Sequence, residues 1–170
     1  MSRPPWQAML AEMLGSGKAI ARVAIVGVGH ELRGDDAAGL VVVRGLQRVP
    51  ADEERLLVLD AGSAPENQTG PLRRFKPDIV LLIDAAQMNE TPGTVQWLPW
   101  GEVGGVSAFT HALPLHVLAR YLSGELGCEV ALLCVQPEQD DIGAPLSPAV
   151  RQATDAIRDA LAQETKQNDI

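Results

Sequence analysis

Three short runs of unbroken apolar residues constrain this chain more than any other feature: Val23–Ala24–Ile25–Val26, Leu56–Leu57–Val58–Leu59 and Ile79–Val80–Leu81–Leu82–Ile83. Runs of four or five apolar residues without polar alternation predict strands buried on both faces, the signature of a parallel sheet covered by helices. A fourth such run, Val130 to Val135, lies near the carboxyl end. Between the runs, apolar residues recur at helical spacing. Leu40, Val43 and Leu46 follow the first run, with Asp35 placed to cap their helix. A short helix is expected around Glu66 to Phe75. Leu115, Leu118 and Leu122 follow Pro114. Val150, Ala153, Ile157 and Leu161 follow Ser147, read as a cap, with Pro148 at the first helical position. Pro92–Gly93 marks a turn, and the Val95/Trp97 alternation after it predicts an edge or antiparallel strand. Gly101 to Ser107 reads as loop. The expected fold class is α/β, a three-layer α/β/α sandwich around a mainly parallel, twisted sheet of about five strands.

One domain of 1–170 is expected, because 170 residues, 46% of them apolar and 21% charged, suit a single core. Trp6, Met9, Leu10, Met13 and Leu14 predict an amphipathic amino-terminal helix within an extension over residues 1–20, ended by Gly15–Ser16–Gly17. The polar residues 164–170 are expected to fray. The formal charge of −8 argues against phosphate backbones and anionic membrane surfaces as partners. No apolar run reaches the ~18 residues of a membrane span, and Met1 to Gly15 lacks the apolar stretch of a secretory signal. Cys128 and Cys134 flank one strand with even spacing, on one face and too far apart to bridge, and read as buried hydrophobes. A reducing, cytoplasmic setting is expected.

Chemistry is expected beyond the carboxyl ends of the strands, where open α/β sheets bind ligands. Acids cluster at those ends: Asp35 and Asp36 after the first strand, Asp60 after the second, Asp84 after the third. Each has a bland alternative. Asp36 suits a helix amino terminus, and Asp60 and Asp84 suit bonds to the amides of the turns that follow them. Of the three histidines, His116 reads as a surface or core residue inside its helix. His30 sits in a glycine turn, where a tolerance of positive φ favours a turn role. His111 stands at a loop-to-helix junction. Two carboxylates and an imidazole form an O, O, N set suited to a borderline divalent ion such as zinc or nickel. Gly27–Val28–Gly29 raises a dinucleotide site, but the third glycine of that fingerprint is replaced by Leu32, and Asp35 and Asp36 would repel a pyrophosphate. The chain has no Gly-x-Ser-x-Gly elbow.

Taken in order, Gly27-Val-Gly-His-Glu-Leu-Arg-Gly-Asp-Asp-Ala-Ala-Gly39, Asp60-Ala-Gly-Ser-Ala-Pro-Glu-Asn67, Ile83-Asp-Ala85, Asn89-Glu-Thr-Pro-Gly93, Thr110-His-Ala-Leu-Pro-Leu115 and Val135-Gln-Pro137 resemble the motifs of the nickel-iron hydrogenase maturation endopeptidases. The Gly-Ser-Ala-Pro-Glu-Asn stretch is most similar to the branch serving the formate-linked, hydrogen-evolving hydrogenase (hydrogenase 3 type). The resemblance implies an enzyme that removes a carboxyl-terminal extension from the hydrogenase large-subunit precursor after nickel insertion. It implies recognition through the nickel that the precursor carries, or through another divalent ion. Asp36, Asp84 and His111 fall on the family's ligand positions and are the expected metal-binding and catalytic residues. Asp60 matches a further acidic position, and His30 stands where the family usually has asparagine. Hydrolysis by a metal-activated water and by a carboxylate pair both fit this set. A non-cleaving chaperone that binds the loaded precursor is the alternative reading.

Overall fold

The computed structural model describes residues 2–15, 21–99 and 115–167. Its elements are α1 (Pro5–Gly15), β1 (Val23–Gly27), α2 (Ala38–Leu46), β2 (Leu56–Asp60), α3 (Thr69–Phe75), β3 (Ile79–Ala85), β4 (Val95–Pro99), α4 (Leu115–Leu126), β5 (Glu129–Val135) and α5 (Pro148–Gln167). The apolar runs form one five-stranded sheet of order β2-β1-β3-β5-β4. β1, β2, β3 and β5 are mutually parallel, and β4 pairs antiparallel with β5 at the edge.

Side-chain alternation divides the core into two layers. Val23, Ile25, Ile79, Leu81, Ile83 and Leu133 face α1, α2 and α5, where Leu10, Val43, Ile157 and Leu161 meet them. Ala24, Val26, Val80, Leu82, Val130 and Leu132 face α3 and α4, meeting Leu72, Leu118 and Leu122. Every residue of β3 is buried, and each large aliphatic among them contributes about 1.5–3 kcal/mol over an exposed position. The three-layer sandwich is therefore built as the sequence predicts.

Three local expectations change. Met9 is 40% exposed, while Trp6, Leu10 and Leu14 carry the contact of α1 with the core. The carboxyl end does not fray from Glu164. α5 continues to Gln167, Glu164 is buried, and Arg3 forms an ion pair with it. The third concerns Asp35. A 3-10 turn (Gly34–Ala37) runs directly into α2, whose N-cap position is Ala37 with no side-chain cap. Asp35 faces away from that helix start, for the reason given below. The loop expected over 101–107 and the helix start at Pro114 lie outside the described residues.

Candidate active site at the carboxyl rim

β1 is flanked by β2 on one side and β3 on the other, so the chain reverses its direction of winding between β1 and β3. That switch point opens a crevice at the carboxyl ends of the strands. Three glycines press the segment after β1 into it. A Cβ on Gly27 would lie 2.3 Å from Gly39 O, one on Gly39 would lie 2.2 Å from Ile83 O, and one on Gly29 would lie 1.9 Å from Asp36 O. Gly29 also takes a φ of +153° that side-chain-bearing residues rarely adopt. The Val28 N–H donates to Ile83 O at 2.8 Å. The start of α2 is thus held on the end of β3, which brings the turn carrying Asp36 over the strand that carries Asp84.

The two adjacent aspartates of that turn have different roles. Asp35 is fully buried. Its carboxylate accepts from the N–H groups of Glu138 (2.9 Å), Gln139 (3.1 Å) and Ser147 (2.7 Å), and from the Ser147 hydroxyl (2.9 Å). These partners follow β5 and consume the Asp35 lone pairs. Asp36 is 9% exposed and lines a cleft of about 130 Å³ with Ala85, Ala86, Gln87, Pro137, Glu138, Gln139 and Asp140. Its Oδ2 accepts the His30 N–H at 3.1 Å. Asp36, Glu138 and Asp140 are the charged groups among the described lining residues, Asp140 being paired with Arg33 at 3.4 Å, so the net charge of the cleft suits a cation.

Asp84 is fully buried at the end of β3, opposite Cys134 of β5. Its Oδ1 accepts the Ala85 N–H at 2.8 Å, as the bland reading of that residue anticipates. The next residues, Ala85 and Ala86, line the cleft, whereas Asp84 itself does not. Burial and the Asp84 charge push the Cys134 thiol pKa well above the ordinary range. Cys128 is likewise raised, by burial first, and both thiols are free.

Asp60 ends β2 on the far side of β1. Its Oδ1 accepts the Gly62 N–H at 3.1 Å, its Oδ2 accepts Arg44 Nε at 2.6 Å, and Arg44 also reaches Glu31 at 3.0 Å. Asp60 does not line the cleft. His30 keeps a turn role by a different route from the one its position suggests. Among the described residues only Lys76 and Asn89 are non-glycine residues with positive φ, because Gly29 absorbs the strained conformation. His30 Nδ1 accepts the Leu32 N–H at 3.2 Å instead. His111 lies outside the described residues.

Sequence reasoning places Gln136 only within the Val135-Gln-Pro137 motif and gives it no role; it is 4% exposed, directly after β5. Its amide binds Gln87, Met88, Glu90 and Pro137, joining the loop after β3 to the loop after β5. Beside that motif, its sequence signal is a polar residue directly after an apolar strand, the same signal that marks Asp84. A more apolar cavity near Leu14, Val23, Leu46 and Leu56 lies at the opposite, amino ends of β1 and β2 and holds none of the rim acids.

Residues 40–164 match the family model described as HycI, hydrogenase maturation protease. That span takes in Asp84 and His111, and the turn bearing Asp36 precedes it. The chain is 32% identical over 157 residues to a provisionally named hydrogenase maturation protease of Methanocaldococcus jannaschii, covering 89% of this chain and 92% of that protein. The hydrogenase 3 maturation protease of Escherichia coli (strain K12) is 29% identical over 135 residues, covering 79% of this chain and 85% of that protein. The crystal structure of the NiFe hydrogenase maturation protease HycI from Thermococcus kodakarensis has a TM-score of 0.83 at 29% identity, covering 92% of this chain and 99% of that one.

Proposed function

The chain belongs to the hydrogenase maturation protease family, and on that premise we propose that it removes the carboxyl-terminal extension of a nickel-iron hydrogenase large-subunit precursor. The observation that carries this reading is the acidic cleft at the β1/β3 switch point, with Asp36 in its lining and Asp84 on β3 directly before the lining residues Ala85 and Ala86. The reaction is peptide hydrolysis. One water is consumed, the large subunit keeps a new carboxylate, and the extension leaves as an amine-bearing peptide.

In this reading the nickel carried by the precursor is part of the substrate, and Asp36, Asp84 and His111 are the residues that receive it. The donor chemistry supports this: two carboxylates and an imidazole suit a borderline divalent ion and leave coordination positions open. The glycine-locked backbone around Asp36 supplies the rigidity that a metal-recognising side chain needs. Two buried, unbridged cysteines suit a reducing, cytoplasmic setting, and no helix among the described residues is long and apolar enough to cross a membrane.

The test is mass spectrometry of the precursor after incubation with the enzyme, with and without nickel loading. A single cut near the carboxyl terminus is expected in the loaded precursor alone, and casein-like substrates are expected to stay intact. Efficient cutting of nickel-free precursor would remove nickel as the gate. Binding of the loaded precursor without a cut would leave the chaperone reading in its place.

A further inference from the structure

The polarity of the side-chain amides on the cleft wall is fixed by backbone donors. Gln136 Oε1 lies 2.7 Å from Met88 N and 3.3 Å from Glu90 N. Backbone N–H groups only donate, so the oxygen end of the Gln136 amide has to face them. Its Nε2 therefore points the other way, and donates to Pro137 O at 3.1 Å and to Gln87 Oε1 at 2.8 Å. Since Gln136 offers a donor there, Gln87 must answer with its oxygen, and the NH2 of Gln87 becomes its outward end. Gln87 is exposed and lines the cleft with Asp36. Its Nε2 makes no hydrogen bond among the described residues.

The rest of the lining lacks such a donor. Asp36, Glu138 and Asp140 present carboxylates, and Gln139 spends its amide on Pro145 O and the Asp141 N–H. Gln139 keeps one N–H of its amide uncommitted, but that NH2 is anchored on Pro145 O, and among the described residues Gln87 is the lining side chain whose NH2 makes no hydrogen bond at all. A peptide laid into an acidic cleft brings backbone carbonyl oxygens that lose water, and each needs a donor.

We propose that Gln87 is a substrate-binding residue whose Nε2 donates to a backbone carbonyl oxygen of the precursor segment to be cut, and that Gln136 is the positioning residue that holds this donor outward. The proposal rests on the reading of the cleft as the seat of precursor cleavage.

Steady-state cleavage of nickel-loaded precursor tests it. Gln87→Glu keeps the acceptor that Gln136 uses and removes the donor, and kcat/KM should fall about three- to tenfold, the order of one net hydrogen bond, with an unchanged melting temperature. Gln136→Glu keeps the oxygen for Met88 and Glu90 but turns an acceptor towards Gln87, which should reverse its own amide and offer the cleft an oxygen. A loss of the same order is expected with Gln87 present. In a Gln87→Ala background, Gln136→Glu should add nothing, whereas a general disturbance of the loop would cost the same in both backgrounds. Wild-type kcat/KM in Gln87→Glu, or equal losses from Gln136→Glu in both backgrounds, would overturn the proposal while the wild-type enzyme still cuts. Failure of the wild-type enzyme to cut loaded precursor is a separate result that removes the cleavage reading and this proposal together. The Gln87→Glu arm concerns an exposed side chain, so it stays decisive even if Gln136→Glu fails to fold.

Discussion

Asp35 and Ser147 stand 112 positions apart, yet the Asp35 carboxylate takes both the backbone N–H (2.7 Å) and the hydroxyl (2.9 Å) of Ser147. This pair ties the turn after β1 to the start of α5, and the same carboxylate holds Glu138 and Gln139 of the loop after β5. The cleft wall that contains Glu138 and Gln139 is therefore fixed to the residue beside Asp36.

The two neighbouring aspartates should respond oppositely to substitution. Asp35→Ala leaves buried N–H groups of the rim without an acceptor and should cost about 3 kcal/mol or more. Asp36→Ala removes a cleft-lining carboxylate that accepts one N–H, from His30, and should cost about 0.5–1.5 kcal/mol, while cutting of loaded precursor is lost. Urea unfolding of both variants, beside the cleavage assay, separates the roles. Comparable stability loss in the two would contradict the division.

The glycines that seat α2 on the sheet allow a paired test. In Gly39→Ala the new Cβ would lie 2.2 Å from Ile83 O and 2.5 Å from Val28 O, both backbone atoms at the sheet end. We expect a loss of about 3 kcal/mol, the upper end for overpacked core sites, because the clashing atoms are backbone. In Gly45→Ala, on the same helix, the Cβ meets only the flexible Arg158 side chain, with Cδ at 2.8 Å. Helix propensity favours alanine there by about 1 kcal/mol. Gly45→Ala should therefore match or exceed wild-type melting temperature, whereas Gly39→Ala should melt well below it.

The sheet was legible because burial on both faces leaves an unambiguous trace: Ile79 to Ile83 has no polar residue and could hardly be anything but a central strand. The turn bonds of Asp60 and Asp84 were legible too, being local. Asp35 was not, because Asp35 and Asp36 are identical in type, and their roles are divided by partners around Glu138 and Ser147 that no local pattern reveals. The role of Gln136, visible only as part of its motif, was obscure for the same reason: its partners lie 46 to 49 positions away and on a neighbouring loop, apart from the adjacent Pro137. The tail from Glu164 looked too polar to hold, since its ion pair with Arg3 joins opposite ends of the sequence.

His30 supplies a bond that asparagine can also make. Its Nδ1 accepts the N–H two residues ahead, at Leu32, which is the geometry of a turn closed by an Asn side-chain oxygen. His30→Asn should keep cleavage and divalent-metal affinity within about twofold. His30→Ala should lose about 0.5–1.5 kcal/mol of stability with metal affinity intact. Isothermal titration with nickel or zinc, beside thermal melts, checks both variants. A large fall in metal affinity for His30→Asn would make His30 a ligand.

Cys134 gives the protein an alkaline limit whose sign follows from burial. Burial raises the folded-state thiol pKa well above its ordinary value near 9, with the Asp84 charge adding to the shift. Below about pH 9 both folded and unfolded states hold the proton, so stability does not vary through this group. Above it the unfolded chain releases the proton while the folded chain keeps it, and stability falls as pH rises, by about 1.4 kcal/mol per pH unit. Cys134→Ala pays a fixed packing cost at every pH but lacks this slope. Urea unfolding with chelator and reductant at several pH values between about 8 and 10.5 should show the wild-type advantage shrinking above about 9. Parallel stability curves for the two proteins would show that the Cys134 thiol ionises as readily in the folded state as in the unfolded chain.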